Sequence, residues 1–202
     1  MTKPFFYILS GFILLGLASC MQRPEKRSET GRTLFSLDSL VQSQEKYLKS
    51  MDVTVLRKSG INSDSDVVTF RPDTSFWKNE MSIFSAADIG KPSLNNRYRM
   101  ETTDSSGLLY TNYEAIDPAI NGTTLMSVGR DGSGRIVRIH VIQQEKNFIF
   151  KRRRNMNLDF SQAPLSRYNI LSGYRVTGFQ KMLLRKRTDY RVTVQLKINN
   201  AE

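Results

Sequence analysis

Between residues 97 and 198, apolar and polar side chains alternate with a period of two, and this alternation constrains the fold more than any other feature. Such alternation is typical of strands with one buried and one solvated face. The pattern predicts strands near residues 97–103, 108–116, 123–129, 135–143, 147–154, 174–184 and 189–198. Short turn signals rich in Gly, Ser, Asn and Asp separate several of them, which favours an antiparallel sheet.

The last of these strands shows the alternation most clearly. One face carries Tyr190, Val192, Val194, Leu196 and Ile198, and the other carries Arg191, Thr193, Gln195 and Lys197. We therefore expect this strand to be half solvated.

Two segments before residue 97 have apolar residues at helical spacing. They predict a helix near residues 37–50 with Ser36 as its N-cap, and a second near 74–87 with Asp73 as its N-cap. Trp77 is expected to anchor the core, since a ligand-stacking role is the less common use of such a residue.

The stretch between these helices is less well determined by the sequence. Residues 53–56 are β-branched yet also continue the apolar stripe of the first helix, so both a helical extension and a strand remain open. Residues 60–66 are predicted to form a loop in either case.

Helices followed by consecutive strands predict an α+β domain over residues 34–202. We expect two N-terminal helices packed on a curved, mainly antiparallel sheet of about six to eight strands. Hydrophobic residues make up 39% of the chain and aromatic residues 10%, which is enough to build one core.

Residues 1–19 have the three-part layout of a secretory signal: Lys3, an apolar run, and then small residues. The apolar run, Phe5 to Leu17, has 13 residues, whereas a membrane-spanning helix needs about 20. A signal peptide is therefore predicted rather than a transmembrane span.

The signal ends in Leu17, Ala18, Ser19 and Cys20, and Cys20 is the only cysteine of the chain. This sequence resembles the lipobox of bacterial lipoproteins. The resemblance implies cleavage before Cys20 and attachment of acyl chains, such as palmitate, to Cys20, which would anchor the protein to a membrane. The alternatives are an ordinary signal peptide that happens to precede a cysteine, or a short buried apolar segment.

The resemblance also bears on location in the cell envelope. Met21 stands where related lipoproteins use Asp to signal retention in the inner membrane, so we expect the outer membrane and its periplasmic face. Residues 20–33 are expected to be the lipidated N-terminus and a flexible tether, which would span about 20 Å on average and at most about 45 Å.

The positive charge of the chain, +11, is concentrated near its C-terminus. Residues 145–197 contain 13 Lys and Arg against 3 Asp and Glu, a net charge of +10, whereas residues 20–144 have 16 against 15. Because an exported protein meets little nucleic acid, we exclude that partner. We expect anionic lipid, anionic glycan or an envelope protein instead.

Two basic runs are the candidate contacts for an anionic ligand. They are Lys151, Arg152, Arg153 and Arg154, and then Arg185, Lys186 and Arg187. In a strand, Arg152 and Arg154 would share a face with Phe148, Phe150, Met156 and Leu158, which would make a groove with cationic walls. The alternative is that both runs lie on a solvated face or at strand ends, where Lys and Arg discourage aggregation.

The sequence predicts no catalytic residue, no metal and no cofactor. His140, the only histidine, has no cysteine or other motif partner, and Asp131 to Gly134 is a hairpin turn signal rather than a calcium or phosphate loop. The carboxylates are scattered without a constraining motif.

We therefore expect a non-enzymatic, lipid-anchored envelope protein that acts as a binding or structural module. The alternative is a periplasmic lipid or lipoprotein carrier, since helices on such a sheet are similar to the lipoprotein-sorting chaperones; an envelope hydrolase is the third hypothesis. Residues 76–80 with 88–92 resemble a group of Gram-negative envelope lipoproteins, and this resemblance implies no particular function.

Overall fold

The computed structural model describes residues 33–117, 119–120, 122–162 and 168–199. The predicted signal peptide, Cys20 and nearly all of the predicted tether lie outside the described residues, so the interpretation of that segment stays a prediction.

The described chain forms two α-helices, one short 3₁₀ helix and one sheet. The helices are α1 (Leu37–Lys49) and α2 (Thr74–Ser85), and the 3₁₀ turn is Pro92–Leu94. The strands are β1 (Val53–Ile61), β2 (Asp64–Phe70), β3 (Tyr98–Ser105), β4 (Leu108–Ala115), β5 (Gly122–Arg130), β6 (Ile136–Lys146), β7 (Phe150–Gln162), β8 (Asn169–Met182) and β9 (Thr188–Ile198).

All nine strands belong to one sheet, in the order β2-β1-β9-β8-β7-β6-β5-β4-β3, and all neighbouring pairs are antiparallel. From β3 to β9 each strand pairs with the next along the chain. The exception is β1, which lies between its hairpin partner β2 and the last strand β9. The α+β class is confirmed, and the sheet is open, with β2 and β3 at its edges.

The predicted strand count of six to eight is wrong, because residues 60–66 are not a loop. They form the turn end of a hairpin between β1 and β2 whose turn is only Asn62 and Ser63, with Asn62 in a left-handed conformation (φ 53°). Asn tolerates this conformation better than most residues. The hairpin lies between the two helices in the chain, and it makes residues 53–56 a strand, which is one of the two alternatives that the sequence leaves open.

Both predicted helix N-caps are confirmed. The Ser36 hydroxyl accepts a hydrogen bond from the Ser39 N–H (3.2 Å), and the Asp73 carboxylate accepts one from the Phe76 N–H (2.7 Å). The bond from Phe76 lowers the pKa of Asp73 below its usual value. Neither of the described helices is long and apolar enough to cross a bilayer.

The two faces of the sheet differ, and we call the apolar one the helix face. Its side chains on neighbouring strands alternate in register and are buried; they include Val55, Met126, Val141, Met156, Leu158, Tyr174, Val176 and Val194. The same hydrophobic cluster contains Leu37 and Leu48 of α1 and Trp77, Met81 and Phe84 of α2. Trp77, only 2% exposed, is a core residue as predicted.

Polar contacts between α2 and the helix face accompany this apolar packing. The Tyr174 hydroxyl donates to the Glu80 carboxylate, and the rings of Phe84 and Tyr174 meet edge to face with centroids 5.1 Å apart. The Thr123 hydroxyl donates to the carbonyl of Ala87 (2.7 Å).

A buried amide links α1 to the start of β8. The Gln44 side chain donates to the Asn169 carbonyl (3.2 Å) and accepts from the Leu171 N–H (2.9 Å). Both polar ends of this buried side chain are therefore satisfied, which a buried amide requires.

Candidate anion-binding groove

The opposite face of the sheet, the groove face, carries an open groove of about 1180 Å³. It is lined by side chains of β7, β8, β9 and β1 and by the beginning of β2. Five of the lining side chains are cationic: Lys58, Arg153, Arg175, Arg187 and Arg191.

The register of the strands brings three of these cations around one hydroxyl. Thr193 of β9 lies opposite Lys58 of β1 on one side and opposite Arg175 of β8 on the other. Arg191 is two residues from Thr193 on β9 and therefore points to the same face. Adjacent strands lie about 5 Å apart, so Lys58 and Arg175 emerge about 10 Å from each other across Thr193.

Most of the groove's positive charge is not neutralised within the described residues. Lys58, Arg153, Arg175 and Arg191 are exposed and form no ion pair with any described side chain. Three carboxylates also line the groove: Asp64, Asp66 and Asp189. Asp64 and Asp66 lie on β2, on the rim, so the floor formed by β7 to β9 is the basic part.

Among the described residues, Arg187 is the one groove cation with a partner of opposite charge. Its guanidinium lies 2.6 Å from the Asp189 carboxylate and 4.0 Å from the centroid of the Phe179 ring. The Lys151 ammonium lies 6.0 Å from the same ring. Phe179 therefore forms cation–π contacts with two cations, at the end of the groove nearest the turn between β8 and β9. Each such contact is worth about 0.5–1 kcal/mol at an exposed site.

Neutral hydrogen-bonding groups fill the space between the cations. They are Asn155 and Asn157 of β7, Thr177 of β8, and Thr193 and Gln195 of β9. Asn155 also forms a 2.7 Å hydrogen bond with the Nε2 atom of His140, which fixes the orientation of the amide. A floor of amides, hydroxyls and guanidinium groups can bind oxyanions and the hydroxyls beside them.

The groove continues toward the other end of the strands, where its charge is neutralised. There Arg138 forms an ion pair of 2.8 Å with Asp159. The hydrogen bond and the negative charge of Asp159 raise the pKa of Arg138 above its usual value. The unneutralised part of the groove face is therefore the region around Thr193.

The first predicted basic run is divided between the two faces. Lys151 and Arg153 lie on the groove face, and only Arg153 of the two lines the groove. Arg152 and Arg154 lie on the helix face, where Arg152 forms an ion pair with Glu145 (2.6 Å). Alternation in a strand separates the run in this way, so these four cations do not form one cluster.

The register confirms that Arg152 and Arg154 share a face with Phe150, Met156 and Leu158. The prediction for Phe148 is wrong, because Phe148 lies in the turn between β6 and β7. The groove that the structure describes is on the opposite face from the one expected.

The second predicted run contributes one residue to the groove, Arg187. Arg185 and Lys186 are exposed in the turn between β8 and β9 and do not line it. Cys20 lies outside the described residues.

Sequence reasoning missed Lys58, Arg175 and Arg191. Each is a single cation at an alternate position of its strand rather than part of a cluster. A search for isolated basic residues on the polar face of consecutive strands would have found Arg175 and Arg191, since Val176 and Val192 mark the apolar phase.

Two other residues that the sequence singles out, Asp131 and His140, form hydrogen bonds with nearby described residues. Asp131 caps the predicted hairpin turn, accepting from the N–H groups of Ser133 (2.9 Å) and Arg135 (3.0 Å). His140 is bound to Asn155. The described residues include no group of three or more His, Cys, Asp or Glu side chains that could hold a metal ion.

Comparison with models of protein families, with curated proteins and with solved structures finds no match to this chain. The groove is therefore interpreted from its own chemistry.

Proposed function

We propose that this protein is a non-enzymatic binding module of the cell envelope that binds a phosphate- or carboxylate-bearing ligand in the groove. In this proposal acyl chains on Cys20 anchor the protein to the outer membrane, facing the periplasm. The observation that carries the binding role is the set of four exposed groove cations without an ion pair among the described residues.

The chemistry of the groove supports an oxyanion ligand. Guanidinium groups bind phosphate and carboxylate through two parallel N–H donors, and three of the four unpaired cations are arginines, at positions 153, 175 and 191. Thr193, Asn155 and Thr177 add groups that suit the hydroxyls of a sugar or of glycerol. Anionic glycans and anionic lipid head groups share this chemistry.

The placement of the helices supports the same proposal. In the fold that we propose, the two helices cover the helix face of a curved sheet and leave the groove face open. A ligand can then reach Arg175 and Arg191 without any movement of α1 or α2.

The expected affinity contribution is large when the four cations act together. Each Lys or Arg near an anionic surface contributes about 1 kcal/mol, and about 1.4 kcal/mol corresponds to a factor of ten. Loss of all four should therefore weaken binding by a factor of about one hundred to one thousand. Because the charges are exposed, added salt should weaken binding. At physiological ionic strength, attraction between exposed charges is largely screened beyond about 8 Å.

The test replaces Lys58, Arg153, Arg175 and Arg191 together by Gln in the full chain, held in neutral detergent micelles. Calorimetric titrations would use polyphosphate, an oligogalacturonate and short-chain phosphatidylglycerol as probes, with a neutral oligosaccharide as the reference. The groove variant should lose about a hundredfold in affinity for the charged probes that bind the parent chain. The three probes distinguish phosphate, anionic glycan and lipid head group as the preferred source.

A matched control removes the same charge from outside the groove. Lys46, Lys78, Lys91 and Arg99 are exposed and do not line the groove, so their replacement by Gln should change affinity by less than about threefold. Equal losses in the two quadruple variants would mean that only net charge matters, and an unaffected groove variant would refute the proposed site.

The anchor has a separate test. Replacement of Cys20 by Ser should abolish incorporation of labelled palmitate into the chain during growth. Undiminished labelling would refute lipidation at this residue.

The carrier hypothesis stays a prediction without a supporting observation. It requires an enclosed apolar cavity, whereas the buried apolar side chains described on the helix face form one cluster and the described groove is open and lined by five cationic side chains. The hydrolase hypothesis likewise lacks support, since the groove carboxylates Asp64 and Asp66 lie on the rim and not beside His140.

A further inference from the structure

A group of apolar side chains is exposed at the end of the sheet where β6 joins β7 and β8 joins β9. Phe148 is 90% exposed and Leu184 is 98% exposed, and their neighbours Ile149, Met182 and Leu183 are exposed as well. We call these five residues the apolar tip. Single exposed apolar residues are common on proteins, but five large ones in and beside two neighbouring turns indicate a contact surface.

The two turns form one surface. Phe150 at the start of β7 pairs with Met182 at the end of β8, and beyond this pair the Leu183 N–H donates to the Ile149 carbonyl (2.8 Å). The apolar side chains of both turns therefore extend from the same end of a continuous strand pair.

The turn that carries Phe148 is held by its own hydrogen bonds. The Asn147 side chain accepts from the N–H groups of Ile149 (3.0 Å) and Phe150 (2.8 Å), and the Asn147 N–H donates to the Phe150 carbonyl (2.8 Å). An ordered turn thus presents Phe148 to solvent, although burial of this ring would be favourable.

Both the backbone conformation and the solvent exposure of Leu184 are unfavourable for a leucine. Its backbone is left-handed (φ 62°), a conformation that favours Gly or Asn over a branched side chain. Its side chain is almost fully exposed, so no packing among the described residues compensates for the strain. A strained residue that local stability does not explain points to a contact with something outside the chain.

Basic side chains surround the apolar tip. Lys151 of β7 lies directly opposite Lys181 of β8, and like charges in this position repel one another. Arg185 and Lys186 follow Leu184 in the turn, and both are exposed. These four residues, Lys151, Lys181, Arg185 and Lys186, are the collar. An anionic surface would relieve their repulsion, whereas a second copy of the tip would add to it.

We propose that the apolar tip docks into the interfacial region of an anionic phospholipid bilayer. Phe148 and Leu184 enter the boundary between head groups and acyl chains, and the collar binds the head-group phosphates. Apolar insertion combined with cationic contacts is how peripheral proteins bind such membranes. This docking requires neither a ligand in the groove nor an acyl chain on Cys20.

The test uses a tryptophan as a depth reporter in the full chain. Phe148→Trp places an indole at the tip, and Ser133→Trp, in the turn between β5 and β6, places one at the opposite end of the sheet as the matched control. The native Trp77 is 2% exposed and supplies the same background in both variants. Each variant is incorporated into vesicles of phosphatidylglycerol and phosphatidylcholine whose acyl chains are brominated to quench indole fluorescence.

We expect the brominated lipids to quench the Phe148→Trp variant at least twice as strongly as the Ser133→Trp variant. The difference should shrink in pure phosphatidylcholine, because the collar then lacks its anionic partner. Equal quenching of the two variants would overturn the proposal. A blue shift of the tip indole that depends on protein concentration and not on lipid would assign the tip to a second copy instead, and would also overturn it.

Two further variants in the Phe148→Trp background separate this proposal from the groove. Lys151→Gln combined with Lys181→Gln should reduce the quenching by about half, and unchanged quenching would overturn the role of the collar. The quadruple groove variant at Lys58, Arg153, Arg175 and Arg191 retains the collar and should keep most of the quenching. The tip can therefore fail while the groove binds its probe, and the groove can fail while the tip docks.

Discussion

Strand β8 belongs to two different surfaces, and its residues show the contrast at single-residue spacing. Tyr174 and Val176 point to the helix face and are buried, whereas Arg175 and Thr177 point to the groove face, where the arginine is exposed and forms no ion pair with a described side chain. The helix face contains packed apolar side chains and polar groups that are hydrogen-bonded, whereas the groove face contains side chains of like charge. Because one face supplies the stability, the other can keep an arrangement of charges that contributes none.

The largest expected effect compares two phenylalanines. Phe84 is fully buried against Tyr174 on the helix face, and Phe179 is partly exposed on the groove face. Phe84→Ala should lower the free energy of unfolding by about 3–5 kcal/mol, through lost burial and the cavity left behind. Phe179→Ala should cost about 1–2 kcal/mol, mainly its contacts with Arg187 and Lys151. Urea denaturation of both variants measures the difference.

Similar losses in the free energy of unfolding for the two substitutions would contradict the conclusion that the helix face supplies most of the stability. The urea concentration at the midpoint of unfolding reports stability only when the slope of the free energy of unfolding against urea concentration is unchanged. This slope should therefore be the same in both variants and in the parent chain.

The next effect depends on pH and again concerns the helix face. Burial and the neighbouring Glu80 carboxylate raise the pKa of Tyr174 above its usual value of 10.0. Above about pH 10 the unfolded chain loses this proton while the folded chain keeps it, so the free energy of unfolding falls as pH rises, by up to about 1.4 kcal/mol per pH unit. Below that pH the contribution is fully present.

Tyr174→Phe removes this titration. The free energy of unfolding should then fall less steeply with pH, by up to about 1.4 kcal/mol per pH unit, which corresponds to one proton. Urea denaturation between pH 8 and 11 measures the slope. Tyr98 and Tyr113, whose pKa values burial also raises, remain in the variant, so some decline should persist. A decline that is identical in the variant would show that Tyr174 is not held protonated by the fold.

The smallest effect belongs to the groove face and has the opposite sign. Arg175→Gln combined with Arg191→Gln should leave stability unchanged or raise it by about 0.5 kcal/mol at low salt, because exposed like charges repel. Thermal unfolding at low and high salt measures this, and the gain should disappear with salt. A loss of more than about 1 kcal/mol would mean that these arginines have structural partners.

The sequence predicted elements whose stability is local or whose pattern is strong. The caps Ser36 and Asp73 act within one turn of their helices, and the strand predicted at residues 189–198 agrees with β9 to within one residue at each end. The hairpin of β1 and β2 was missed because Asp64 to Asp66 carry no apolar alternation. Pairing with distant β9 helps to define β1, and a local pattern cannot reveal that.

The site was only partly predictable for a related reason. Residues that are clustered in sequence, such as Arg152 and Arg153, separate to opposite faces of a strand. Residues far apart in sequence, such as Lys58 and Arg175, lie on either side of Thr193 only because of the register of β1, β9 and β8. Register depends on the whole sheet, so the groove could not be assembled from charge runs alone.

The position of β1 beside β9 has a consequence for the order in which the chain folds. Val53 pairs with Ile198, so one of the earliest strands completes its ladder only with the last one. A chain that emerges from its N-terminus holds the β1–β2 hairpin without its β9 partner until β9 has emerged. Contacts so distant in sequence form slowly. Removal of β9 should therefore disable the first hairpin of the domain as well as the strand β8 that pairs with β9.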